Sequence, residues 1–426
     1  MQSSGKKLQI VILMIVCVLV GYAFGTRSVT LAWKDYKPVI GIESKTPPPG
    51  QNIDFSLLYE VLERVNRDYY DKTKVDSQKL LYGAISGMLE SLDDPYTSFF
   101  PPKENEAFKT QMAGEFSGIG AELGMTSDKR ITVISPLDDS PAQKAGIRSG
   151  DIIVKVNEES TLGWSIQEAV EKIRGEKGTP VTLNVLHDKA KSPVDVKVVR
   201  DTIQLESVTS WVKKVECKGD ECSPAPSSCE SCAAVAYIRV SQFGDRTNEE
   251  WVKKVNEVYA EMQKQHNVKG VILDVRNNPG GYLTDAVFIA SEFIDSGVIV
   301  RQEDGTGKDA SMSVSRKGLL LDVPLVVLIN KGSASASEIV SGALRDHERA
   351  KLIGETSFGK GTIQQALDMD AGSSIHLTIA KWLTPNGTWV HEKGLEPDIT
   401  VAFDQKKSDG KEFDNQLQRA VQELVK

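Results

Sequence analysis

Two short segments carry the residue types from which a nucleophile and its base can be built. The first is Gly332-Ser333-Ala334-Ser335-Ala336-Ser337-Glu338; the second is Phe358-Gly359-Lys360-Gly361-Thr362-Ile363-Gln364. A serine hydroxyl attacks only when a base removes its proton, and a lysine serves as that base only while neutral. Burial beside apolar groups favours the neutral amine, and Phe358 and Ile363 are the walls on offer. Gly359 and Gly361 admit a close backbone approach. In an extended segment Lys360, Thr362 and Gln364 point the same way, so Gln364 is placed to hold the amine without adding charge. Ser335 to Glu338 also has the S-x-x-E spacing of a capping box, which leaves a purely structural role open to Ser335.

The elements around these segments suit that chemistry. Leu325–Ile329 is an unbroken apolar run, as expected of a buried parallel strand. A helix follows Ser335, with Ile339, Val340, Ala343 and Leu344 on one face, and a second strand over 351–354 leads to Lys360. Such a turn presents a nucleophile at the mouth of a rigid strand, beside the free amides of the next helix. The same scheme recurs upstream. A strand over 270–276 runs into Asn277-Asn278-Pro279-Gly280-Gly281 and a helix over 283–293, as in a layered α/β core. Its two glycines let the backbone approach a ligand and free an amide donor.

GSASASEIVSGAL followed by ETSFGKGTIQQ resembles the carboxyl-terminal processing proteases, or tail-specific serine peptidases. The resemblance implies a serine-type endopeptidase in which Ser335 is the nucleophile, Lys360 the general base and Gln364 the residue orienting it. DVRNNPGG resembles the family's oxyanion turn, which implies that Gly280 or Gly281 joins the Ala336 amide in stabilising the tetrahedral oxyanion. The implied fold class is multidomain α/β: an N-terminal helical segment, a PDZ-like β-rich domain with two helices, and a layered (crotonase/ClpP-like) peptidase core. Two rival readings remain. One is a Ser-His-Asp hydrolase using His347, His376 or His391; the other is a catalytically silent PDZ scaffold.

Residues 113–202 form a separate unit. Gly118 to Leu123 is a glycine-rich turn entering a strand, Ser140 to Gly146 a short capped helix, and Ser165 to Arg174 a longer one. SPAQKAGIRSGDIIVKVN is similar to a PDZ domain. That similarity implies recognition of the C-terminal tail of protein substrates by strand addition, with the carboxylate held by the amides of Ile119, Gly120 and Ala121. It places the apolar groove at Ile119, Leu123, Ala169 and Ile173. Arg174, at the helix end, either complements the helix dipole or couples the PDZ domain to the active site, as an arginine near there does in some relatives.

Further organisation follows from composition and pattern. Lys6 and Lys7 precede an apolar run over 10–24, so residues 1–30 read as an uncleaved signal anchor, with a cleaved signal at Ala23-Phe24-Gly25 as the alternative. Either way the catalytic part lies outside the cytoplasm. Residues 31–52, with Pro38 and Pro47 to Pro49, read as a linker. Residues 53–112 are helical, with apolar stripes at Leu57, Leu58, Val61, Leu62 and Val65 and at Leu80, Leu81, Ala84, Ile85, Met88 and Leu89. GMLESLDDPYTSFF resembles the segment that precedes the PDZ domain in the processing proteases and helps some of them dimerise, which implies a homo-oligomer. Residues 203–403 form the catalytic core and 404–426 a terminal helix available for self-association. Cys217, Cys222, Cys229 and Cys232 lie in a polar insert, where two disulfides are expected outside the cytoplasm and a zinc clip is the alternative. A net charge of -8 without a basic run excludes nucleic acid as a natural partner. No HExxH-type metal cluster is present and no cofactor is implied.

Overall fold

Period two decides the core. In the computed structural model, which describes residues 28–34, 37–43 and 54–426 apart from 127, 138, 188, 189, 220, 266, 405–407, 409 and 410, the apolar runs become the central strands of a seven-stranded sheet. Its order is Glu221–Pro224, Val208–Lys218, Ala233–Val240, Val268–Asp274, Leu325–Ile329, Lys351–Gly354, Ile399–Thr400. The first pairings are antiparallel, and the strands from Ala233–Val240 onward are parallel. Alternate residues serve two separate cores. Ala236, Ile238, Val271, Leu273, Val327 and Ile329 pack beneath the helices Thr247–Lys264, Leu283–Ala290 and Ala336–Asp346. Val235, Tyr237, Ile272, Val326 and Leu328 pack on the other face. A strand covered on both faces has no polar side, which is why these runs show no alternation in sequence.

The cover on that second face corrects one expectation. The terminal helix Asn415–Val425 is not left for self-association: Leu417, Ala420 and Val421 are buried against the sheet of their own chain. Its entry is fixed by Asp414, whose carboxylate accepts from Leu417 N (2.8 Å), and by Phe413, which stacks on Trp211 at 5.5 Å. Trp211 in turn stacks on Tyr237 at 4.8 Å. Arg276 ties the same corner to the sheet, donating to Asp274, Asp414 and Gln416.

A second, five-stranded sheet pairs Thr362–Asp368 with Ser374–Leu383, and residues 98–100 join its edge. The PDZ-like unit is a six-stranded antiparallel sheet with the helices Pro141–Lys144 and Ile166–Ile173, capped by Ser140 and Ser165. Its two connections to the core, Glu115–Gly118 and Asp201–Gln204, pair with each other. The cysteine insert forms two disulfides: Cys217–Cys222 across a strand pair and Cys229–Cys232.

The chain divides into units 1–81 and 82–426. Within the first, a linker is expected over 31–52, but Ser28–Lys34 and Lys37–Glu43 pair as antiparallel strands. Val29, Leu31, Val39 and Ile42 suit strands, and Pro38 falls near a strand start where its missing N–H is tolerated. The helix Ser56–Asp68 buries no residue: Leu57, Leu58 and Val61 of its apolar stripe are exposed, and Leu62 and Val65 half-buried. Among the described residues no helix is long and apolar enough to cross a membrane; the apolar run 10–24 lies outside them.

Phe413 is 2% exposed and holds the terminal helix against the sheet. Phe413→Ala is expected to lower the stability of the core by about 3–5 kcal/mol in denaturant unfolding, the usual cost of a large-to-small aromatic deletion.

Candidate active site

Three neighbouring parallel strands end at one edge of the sheet, and each runs into a segment named above. Val268–Asp274 leads to the Asn277–Gly281 turn, Leu325–Ile329 to Ser335, and Lys351–Gly354 to Lys360. Side chains lace the first two turns together. Asn330 Nδ2 donates to Asn277 Oδ1 (2.8 Å), Ser333 Oγ to Val275 O (2.7 Å) and Ser337 Oγ to Asn278 O (2.9 Å). Ser333 and Ser337 are therefore buried and engaged, whereas Ser335 is half-buried. Of the three serines in the run, only the middle one sits on a backbone turned outward, at φ 55° and ψ −114°. A non-glycine residue there carries strain of about 1–3 kcal/mol, so its surroundings must over-determine it.

Glu338 does so. It is fully buried in the first turn of the helix, and its carboxylate accepts four hydrogen bonds. Oε2 accepts from the amides of Ser335 (2.8 Å) and Lys360 (2.9 Å). Oε1 accepts from Ser357 Oγ (2.6 Å) and the Gly359 amide (2.7 Å). One oxygen thus holds the backbones of both chemically interesting residues. Sequence spacing marked Glu338 only as a capping-box partner; its grip on the 357–360 loop is tertiary.

Lys360 is half-buried. Burial holds its amine below the ordinary lysine value of 10.5, opposed by the charges of Asp94 and Glu338. The expected wall Phe358 is 55% exposed. The wall is instead Tyr96, whose ring centroid lies 5.0 Å from Nζ. Gly361 is needed for packing: a Cβ there would stand 2.7 Å from Trp389 Nε1. Ser335 Oγ and Lys360 Nζ are not hydrogen-bonded to each other in this structure. Gln364 does not reach the amine either. Its Nε2 donates to Thr362 Oγ1 (3.0 Å) and Thr378 Oγ1 (2.9 Å): Thr362 and Gln364 share one face of the strand Thr362–Asp368, whereas Lys360 precedes that strand.

The glycine turn lies against the nucleophile turn. A Cβ on Gly280, at φ +100°, would meet Ala334 O at 2.7 Å and Ser335 Cβ at 2.8 Å. The Gly280 amide donates to Asn278 Oδ1 (2.8 Å), while the amides of Gly281 and Ala336 have no acceptor among the described residues.

The histidines are placed otherwise. His347 Nε2 meets Val298 O (2.8 Å), His376 packs between Phe100 and Phe108, and His391 stacks on Trp389. None hydrogen-bonds Ser335. In the PDZ-like unit Ile119, Ala169 and Ile173 are buried in its core, with Ala121 and Leu123 partly buried against them. Gly120, at φ +71°, and Ile119 offer carbonyls to Leu137 N and Ala142 N, which fixes the turn on the short helix. Arg174 lays its guanidinium over the Phe116 ring at 4.9 Å, on one of the two connections to the core.

Comparison with known proteins identifies the family of the chain and of its domains. Residues 234–401 match peptidase family S41, 132–186 a PDZ domain, and 40–103 the N-terminal domain of the activating protease CtpB. The chain is 38% identical over 342 residues to the carboxy-terminal processing protease CtpB of Bacillus subtilis strain 168, covering 80% of this chain and 66% of that protein. It is 37% identical over 343 residues to the carboxy-terminal-processing protease of Bartonella bacilliformis, covering 80% and 74%. A solved Bacteroides fragilis protein described as an S41 protease aligns with a TM-score of 0.54 over 89% of this chain and 99% of its own, at 14% identity, and so speaks to fold alone. The chain spans about two thirds of the length of the Bacillus relative.

Glu338→Gln puts an amide NH2 among four donors. Each stranded donor costs about 1–3 kcal/mol, so the variant is expected to show a lower thermal midpoint together with loss of any reactivity at Ser335.

Proposed function

Because the chain belongs to the carboxy-terminal processing proteases of peptidase family S41, we propose that it is a serine endopeptidase working through a Ser335/Lys360 dyad. The observation that carries this reading is the Glu338 carboxylate, whose single Oε2 takes the amides of both residues. Ser335 attacks the peptide carbonyl as Lys360 accepts its proton, and the lysine returns that proton to the leaving amine. The developing oxyanion is met by the Ala336 amide and a glycine of the 280–281 turn. Gly281 is favoured, since the Gly280 amide is already given to Asn278. Water then releases the acyl-enzyme. Gln364 is assigned to orienting the amine, a role that requires it to exchange Thr378 for Lys360.

The PDZ domain selects substrates by their C-terminal tail, holding the carboxylate at the 119–121 turn. Coupling to the core runs through Arg174 and Phe116, which sit where the domain joins it. The protein acts outside the cytoplasm, held at the membrane by its N-terminal apolar run; two disulfides in the insert suit an oxidising compartment. The exposed stripe of Ser56–Asp68 supports self-association.

The test is cleavage of an unfolded protein ending in small apolar residues. Ser335→Ala and Lys360→Ala are each expected to lower kcat by about 10³-fold or more. Because burial depresses the Lys360 amine, the neutral form is populated at lower pH than for an ordinary lysine. Activity should therefore rise with pH to a midpoint below 10.5 and vanish as pH falls through it. Amidating the substrate's C-terminal carboxylate should reduce kcat/KM by about tenfold or more, the effect of one lost charge-assisted contact set. Cleavage that survives Lys360→Ala removes the dyad.

A further inference from the structure

Residues 94–97 fall in the match to the CtpB N-terminal domain, outside the PDZ and peptidase matches, yet they form one wall of the site. In sequence Asp94-Pro95-Tyr96-Thr97 lies in the GMLESLDDPYTSFF run that resembles the family's segment before the PDZ domain, and none of its residues is assigned a role there. In the structure it is a strap clipped at several points. The Asp94 carboxylate accepts from Tyr96 N (3.0 Å) and Thr97 Oγ1 (2.6 Å), closing a turn on itself. Thr97 Oγ1 then accepts from Thr378 N (3.1 Å), and residues 98–100 continue as an edge strand paired with 374–376. Thr378 is also the residue whose hydroxyl accepts from Gln364 and bonds the Asp94 carboxylate.

The strap projects Tyr96 onto Lys360. Among the described residues Lys360 Nζ has no hydrogen-bond acceptor; its defined neighbour is the Tyr96 ring face, 5.0 Å away. A lysine has four rotatable side-chain bonds, and without an acceptor something else must restrict them. The ring also meets His391, edge-on at 6.1 Å, which stacks on Trp389 at 5.0 Å. The ring is therefore held between a fixed strap and a fixed aromatic pair.

We propose that Tyr96 is a positioning residue for Lys360, its ring covering the amine and confining it, so that strap 94–97 is a working part of the active site. This rests on the Ser335/Lys360 reading. The ring acts on the amine in two opposed ways. Its face attracts the ammonium, by about 0.5–2 kcal/mol. Its bulk keeps water away, which favours the neutral amine. Burial is the largest influence on this lysine, and the Tyr96 ring 5.0 Å from Nζ is part of what buries it. The other charged or titratable groups facing the pair are Asp94 on the strap, Glu338 on the nucleophile helix, His376 on the neighbouring strand, and His391 and Glu392 on the loop beyond.

The experiment is the pH profile of peptide cleavage by the full chain. Ser335→Ala and Lys360→Ala serve as controls that test the dyad itself; if either cleaves, the dyad fails whatever Tyr96 does. Tyr96→Phe, which keeps the ring, is expected to retain its rate within about threefold and leave the acidic limb in place. Tyr96→Ala admits water, so kcat should fall about tenfold or more at little-changed KM, and the limb should move to higher pH. A merely structural tyrosine would lower the thermal midpoint without moving the limb, and that result, or an unchanged kcat, overturns the proposal. Where the alanine variant does not fold, Tyr96→Leu decides. It keeps cover but has no π face, so kcat should fall and the limb should move to lower pH; an unmoved limb overturns the proposal.

Discussion

The site depends on one buried carboxylate. Glu338 is fully buried, a placement that is tolerable only because four donors surround it, and hydrogen bonds to an ionised acceptor are the strong ones. Two donors come from its own turn and the 360 peptide, and two from Ser357 and Gly359. The same bonds do three things at once. They begin the nucleophile helix with a negative group at its positive end. They hold Ser335 in a strained backbone conformation, and they fix the Lys360 backbone relative to that of Ser335.

That carboxylate can reach both partners because of the sheet. In a parallel sheet every strand ends at the same edge, so adjacent strands deliver their following turns side by side. Val268–Asp274, Leu325–Ile329 and Lys351–Gly354 are consecutive neighbours. The 277–281 turn, the Ser335 turn and the Lys360 loop are consecutive as well. The terminal helix and Phe413 cover the back of these strands, and Arg276 ties the start of the oxyanion turn to that cover. A chemical site at one edge is in this way supported by packing on the opposite face.

Much of this was legible in the residues. Leu325–Ile329 and Lys351–Gly354 stand as read, since a short unbroken apolar run bounded by turn residues suits little other than a doubly covered strand. Ser335 and Lys360 stand out by type and spacing, the resemblance implies their roles and that of the glycine turn, and the structure sets the three segments side by side. The misses arise where what a segment pairs with or packs against leaves little trace in its own pattern. Residues 31–52 look like a linker until Ser28–Lys34 and Lys37–Glu43 are seen to pair. The terminal helix shows an apolar face but not what covers it. Gln364 aligns with Lys360 only if the strand extends back to the lysine, but the strand begins at Thr362 and Gln364 turns to Thr362 and Thr378. Phe358 neighbours the lysine in sequence, but the wall in space is Tyr96, whose segment is remembered by no motif in the peptidase core.

The central claim is that a lysine held by this arrangement activates Ser335. The most direct measurement is the rate at which a serine-reactive phosphonate labels the intact chain as pH is varied, with the modified residue identified by mass spectrometry. The account predicts labelling at Ser335, at a rate that climbs with pH to a midpoint below 10.5 and collapses in Lys360→Ala. Labelling at another residue, or a Ser335 rate indifferent to the loss of Lys360, would contradict it.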